Sequence, residues 1–184
     1  MANTDNAVGF QPVSRVAKTG EYTIASGYGT ALRRGDAVEL TGTSRNIQKA
    51  AAENVDNLGV FGWVEYIDSQ GNYVNSEYWP ASTVATNIKA HVWDDPHEVF
   101  RIQCDTLAAT DEGALADWDA GTPSATGRCS GTELVASVTG TSGKSIRIIQ
   151  LSETQDNAYG AHALADVKFA EHIYLTGAAG AGGV

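Results

Sequence analysis

Tyr66-Ile67-Asp68-Ser69-Gln70-Gly71-Asn72-Tyr73-Val74-Asn75-Ser76-Glu77-Tyr78-Trp79-Pro80 sets two aromatic, strand-prone runs on either side of a polar Asp-Ser-Gln-Gly-Asn turn. That arrangement writes a β-hairpin. It holds no nucleophile, no metal cluster and no phosphate loop, which directs attention to surfaces and assembly rather than chemistry.

Upstream, Leu58 to Ile67 is apolar on both faces. Alternation puts Val60, Val64 and Tyr66 on one face and Phe61, Trp63 and Ile67 on the other, the pattern of a central strand covered on both sides. Gly59 and Gly62 within it imply a bulge or a close backbone approach. Tyr22–Ala25 and Asp36–Leu40 are shorter strands that end at Gly-containing turns. Downstream, Ile88–Trp93 alternates, and so does Val99–Cys104, which faces Phe100, Ile102 and Cys104 inward. Asp94-Asp95-Pro96-His97 is the turn between them. Ser145–Leu151 is a further strand. From Ala163 to Tyr174, Ala163, Ala165, Val167, Phe169 and Ile173 face one way and Asp166, Lys168 and His172 the other.

Helical signal is thin. Gln48–Asn54 and Thr110–Trp118 could each make a turn or two, the second opening with a Thr-Asp-Glu start, but neither is long enough to stand alone. Eight or so short strands with Gly-rich turns predict a mainly β fold, a sandwich or barrel (jelly-roll-like or tulip-like) with little helix. Residues 1–20 read as an extended N-terminal arm, 21–176 as the β-rich body and 177–184 as a mobile Gly/Ala tail.

The 184 residues are 42% apolar and 18% charged, with a net charge of −10. The apolar share supplies a core, and the scarcity of charge leaves a Gly, Ala, Ser, Thr and Asn surface suited to packing against other chains. Arg33-Arg34 is the nearest thing to a basic patch, so no nucleic-acid or anionic-lipid partner is expected. No apolar run approaches a membrane span. The polar opening lacks the features of a signal peptide, so the chain is expected to be made in a cytoplasm. Cys104 and Cys129 are expected to be reduced, structural thiols there, with pairing left open should the product meet oxidising surroundings.

The densest polar cluster, His91 to Glu98, has the residue types of a divalent-metal site. His162 and His172 are further donors with no spacing to recommend them. A strand and turn explain the same residues more simply, so no metal or other cofactor is expected. Asp117-Trp118-Asp119 with Asp111-Glu112 offers paired carboxylates, and reads better as a solvated acidic loop. Cys104 falls on the core face, Cys129 sits in a loop beside Arg128, and no catalytic signature surrounds either. No catalytic residue is assigned, and the expectation is a non-enzyme. The aromatic set Trp63, Tyr66, Tyr73, Tyr78, Trp79 and Trp93 fits core plus subunit interface, or a carbohydrate groove.

Five segments in order resemble one family. They are Ala2-Asn3-Thr4-Asp5-Asn6 through Gly9-Phe10-Gln11-Pro12-Val13, then Leu58-Gly59-Val60-Phe61-Gly62, then Tyr66-Ile67-Asp68 with Tyr78-Trp79-Pro80-Ala81. Asp94-Asp95-Pro96 with Val99-Phe100-Arg101-Ile102-Gln103 follows, and then Asn157 to His162 with Val167 to His172. Together, over roughly residues 2 to 175, they resemble the structural cement (head decoration) proteins of tailed phages. Ala7 and Gln11 stand where Pro and Arg are common in that family, and the Gly/Ala tail has no counterpart. The resemblance implies a homotrimeric bacteriophage virion protein on the outer surface of an icosahedral head. It would be made in the host bacterial cytoplasm and would clamp neighbouring major capsid protein subunits. Asn3, Asp5, Phe10, Pro12 and Val13 would form a capsid-binding arm, and Tyr73, Tyr78 and Trp79 the interface aromatics. The alternative expectation is a carbohydrate-binding or host-adhesion module on the virion surface.

Overall fold

The computed structural model describes residues 3–42, 44–51, 57–121, 123, 127–140 and 144–175. Sixteen strands lie within them: β1 (Gln11–Pro12), β2 (Gly20–Tyr22), β3 (Leu32–Arg33), β4 (Ala37–Leu40), β5 (Ile47–Lys49), β6 (Asn57–Asp68), β7 (Tyr73–Ser76), β8 (Tyr78–Trp79), β9 (Ala85–Trp93), β10 (Phe100–Gln103), β11 (Thr106–Leu107), β12 (Leu115–Asp119), β13 (Glu133–Gly140), β14 (Ile146–Leu151), β15 (Gly160–Ala161) and β16 (Leu164–Phe169). The first large sheet runs β1-β10-β16-β14-β12-β13. The second runs β2-β9-β6-β4-β5, with β7 beside the far half of β6. Two ribbons, β3-β8 and β11-β15, complete the set, and the fold is mainly β as the sequence predicts.

The first sheet curls back on itself. After β10 the Asp105 N–H donates to the Leu134 carbonyl of β13 at 3.0 Å, and Cys104 forms a parallel bridge with Leu134. The inward side chains of this sheet, among them Phe100, Ile102, Cys104, Trp118, Ile146, Ile148, Val167 and Phe169, make one apolar core. The second sheet is the middle layer. Neighbours Ala37, Val60 and Trp93 are paired across β4, β6 and β9 and face the first core. One residue along, Val38, Phe61 and Val92 face a second core, closed over by Leu32 and Trp79 of the β3-β8 ribbon. Period-two side-chain alternation thus feeds two cores from one sheet.

The alternation in β6 is broken where its glycines stand. The register slips between Phe61 and Trp63, around Gly62. Phe61, Val64 and Tyr66 consequently share the second core while Val60 serves the first, which corrects the face assignment drawn from strict alternation. Gly59 (φ +149°) packs so tightly under β9 that a Cβ there would overlap the Trp93 carbonyl. Bulges of this kind add a residue to one strand and turn the following side chains over.

Three other expectations are corrected. Gln48 and Lys49 belong to β5, paired with β4, rather than to a helix; residues 52–54 of that expected helix lie outside the described residues. Thr110–Trp118 is helical only at its start, and its second half is a strand. One 3-10 turn (Ala109–Asp111) stops at Gly113 (φ +83°), and β12 follows because Ala116 and Trp118 are drawn into the first core. The last strand ends at Phe169. The chain then leaves the sheet, the Ile173 N–H bonds the Asn57 carbonyl at 2.9 Å, and Ile173 packs on the second core while His172 is buried.

The N-terminal segment is extended but stitched to the body. Phe10 N–H donates to Gly35 O, Val13 N–H to Val99 O, and β1 pairs with β10. Phe10 is fully buried, ringed by Phe100, Trp118 and Phe169 at centroid distances of 5.2–6.2 Å. The expected tail, residues 177–184, lies outside the described residues.

Candidate functional site

The residues first considered for chemistry are dispersed into structural duties. His91 stacks on Trp63 (4.4 Å, 12°), with its Nε2 3.5 Å from Glu65. Asp94 accepts the Tyr22 hydroxyl at 2.7 Å, while Asp95 caps its own turn through the His97 N–H. Asp117 is buried on β12 and pairs with Lys144 at 2.6 Å, which corrects the expected solvated acidic loop at Asp117 and Trp118, while Glu112 and Asp119 are exposed. Glu112 accepts the Tyr159 hydroxyl and the Leu151 N–H, bonds that lower its pKa. Cys104 is fully buried, and burial pushes its thiol up to about 12, which removes the thiolate needed for nucleophilic work. Cys129 is half-buried, and both cysteines are free thiols.

The residues expected to touch a partner divide sharply. Trp79 is fully buried, edge-on to Tyr66 at 5.2 Å, and is withdrawn as an interface aromatic. Phe10 is withdrawn as a surface anchor for the same reason. Tyr78 is half-buried under the Arg33 guanidinium. Tyr73, by contrast, is 65% exposed. It leaves a hairpin turn held by one carboxylate: Asp68 accepts the N–H groups of Gln70 and Asn72 and the side-chain amide of Asn72, bonds that hold its pKa down. Val13 (42% exposed) and Val16 (91%) leave apolar surface beside β1, and Pro12 is half-buried.

Asn3 and Asp5 lead to the most connected polar assembly among the described residues. Asn3 donates to the carbonyls of Ala158 and Ala161 at 2.8 and 2.9 Å. Gln103 at the end of β10 is buried. Its side-chain oxygen accepts the Asn6 N–H at 2.8 Å, and its amide nitrogen lies 3.0 Å from Asp5, 3.0 Å from Glu133 and 3.3 Å from His162 Nδ1. Asp5, Glu133 and His162 therefore converge from three separate elements on an amide, and their ligand atoms lie within 4.8 Å of one another, a set that could hold a metal ion. A cavity of about 410 Å³ opens beside it, walled by Asn3, Thr4 and Asn6 on one side and by Thr154 to Asn157 on the other. Sequence reading separated these partners because 98, 30 and 59 positions divide Gln103 from them. The one available signal was a lone Gln closing an otherwise apolar-alternating strand.

Compared with family models, with curated proteins and with solved structures, the chain matches none.

Proposed function

We propose that this chain is a structural virion protein that binds the outer surface of an icosahedral phage head. As a homotrimer it would cross-link neighbouring major capsid protein subunits and stabilise the expanded shell. The ordered set of five resembling segments motivates the reading, and one observation carries it further. Tyr73 stands exposed at the base of a turn pinned by Asp68, so its ring is presented without a large ordering cost on contact. Pro12, Val13 and Val16 along the β1 edge supply a second patch, in place of the arm whose Phe10 is committed to the core. The mechanism is multipoint attachment. Three equivalent feet bind with avidity because each contact raises the effective concentration of the next. Outward pressure and shear between capsomers are then shared over several weak contacts.

The test is cosedimentation of the purified protein with empty expanded and unexpanded heads built from the major capsid protein encoded with it. Selective binding to expanded heads, weakened about tenfold or more by Tyr73→Ala as at an aromatic hot spot, is the expected outcome. Binding to neither form sinks the reading. The half-buried Trp63–His91 stack favours a second reading, a glycan platform on the open half of the second sheet. Specific retention on a glycan array, lost in Trp63→Ala, would select it.

A further inference from the structure

Three acceptors crowd one donor group at the end of β10. The Gln103 amide has two hydrogens, yet Asp5, Glu133 and His162 Nδ1 face its nitrogen at 3.0, 3.0 and 3.3 Å. Two hydrogens serve two of them at best, so a lone pair aimed at the hub is left over. The charges are out of balance as well. The buried carboxylates of Asp36, Asp117 and Asp166 each meet a Lys or an Arg. Among the described residues, Asp5 and Glu133 meet neither, and the basic side chain beside them is His162, whose Nδ1 is 3.7 Å from Asp5. Burial and then the nearby Asp5 charge raise the Glu133 pKa, as befits carboxylates held close without a cation to share.

We propose that Asp5, Glu133 and His162 form a site for one divalent transition-metal ion of the zinc type, which fastens the N-terminal segment to the body. Two carboxylates and an imidazole are a donor set for zinc and its neighbours, whereas calcium and magnesium favour oxygen alone. The three ligand atoms lie within 4.8 Å of one another. Around a tetrahedral zinc with bonds of about 2.0 Å, ligands stand about 3.3 Å apart. The Asp5–His162 separation of 3.7 Å is close to that, and the Asp5 side chain, 67% exposed, has room to rotate the rest of the way. Each carboxylate has a second oxygen, so Gln103 can keep a hydrogen bond to one while the other faces the ion, the usual way an outer partner orients a ligand. Three protein ligands leave a coordination position open, and the cavity of about 410 Å³ beside the hub gives it room for water. On the wall of that cavity the Thr154 hydroxyl is buried with no partner among the described residues, a polar group that such a water would satisfy. The ligands come from the N-terminal segment, the start of β13 and the β15–β16 link. An ion held by all three binds only the folded chain and stabilises it by mass action. This inference is independent of what the exposed surfaces bind.

The experiment is calorimetric titration of the untagged, full-length protein, stripped with EDTA and dialysed, with ZnCl2 and separately with CaCl2 at neutral pH. One Zn2+ should bind per chain, at least about tenfold more tightly than Ca2+. The melting temperature should rise by about 5–10 °C at Zn2+ a hundredfold above its dissociation constant, and EDTA should reverse the rise. Asp5→Asn, Glu133→Gln and His162→Asn should each weaken Zn2+ binding by at least the tenfold or so that losing even an outer partner costs. Asn is chosen at 162 because it tolerates the φ of +56° there. Asp5→Asn changes an exposed side chain, and an unaltered metal-free melting temperature shows that its loss of binding reports the site and not the fold. No saturable binding up to about 1 mM Zn2+, binding that survives undiminished in all three variants, or Ca2+ held as tightly as Zn2+ overturns the proposal.

Discussion

At the scale of single residues, the fold depends on positions where an ordinary side chain cannot fit. Gly59 is one. Gly59→Ala combines an unfavourable φ with a Cβ directed into the Trp93 carbonyl, so it should cost about 2–3 kcal/mol. Gly71 in the hairpin turn also has positive φ (+84°), but nothing lies within 4 Å of where its Cβ would be. Gly71→Ala should cost only about 1 kcal/mol. Urea midpoints of the two variants separate the effects: equal losses would mean that the close approach of β6 and β9 contributes nothing. Asp36 shows the polar counterpart. It is fully buried yet paired with Lys49 at 3.0 Å, and it accepts the Ser130 hydroxyl at 2.6 Å and the Arg33 N–H at 2.8 Å, as a buried charge requires.

At the scale of elements, the N-terminal segment behaves as part of the first core. Gly9 (φ +71°) turns the chain so that Phe10 enters among three aromatic side chains. Phe10→Ala should lower unfolding free energy by about 3–5 kcal/mol, and removal of residues 2–13 should lower the melting temperature at least as much. A truncated protein that melts like the intact one would show that the ring is dispensable. Strand existence was legible in the sequence wherever alternation was unbroken. Phe100, Ile102 and Cys104 point inward as their spacing requires, and β9 and β14 lie where their apolar periods put them. The rest was hidden for identifiable reasons. A bulge at Gly62 reversed the faces of half of β6. An Ala- and Gly-rich run around Ala116 looked helical or loose until Trp118 found a core to enter. The hub at Gln103 is assembled from residues with no local spacing at all, so only the folded topology brings Asp5, Glu133 and His162 together.

For the whole molecule, the two cores meet near the chain's end, where His172 is buried against Phe169 and Tyr174. Burial holds its pKa below the ordinary imidazole value, with Asp94 and Asp95 pulling the other way. At neutral pH the ring is uncharged in the folded and unfolded states alike. As pH falls through about 6.5, the unfolded chain takes up a proton that the folded chain refuses. Global stability should therefore decline from about pH 7 towards pH 5. His172→Asn, which keeps an acceptor for the Tyr174 N–H, should reduce that slope in melting temperature measured against pH. An unchanged slope would remove His172 as its source.

The strands that terminate the sheets are short: β1 has two residues, β2 and β5 three each, and β7 four. The long β13 folds its margin back onto Asp105. Among the described residues, then, little open ladder is offered to a neighbouring copy. Molecules of this shape can be crowded at high local density without zipping into endless ribbons, and a purified stock should stay clear on concentration where a blunt-edged sandwich would cloud.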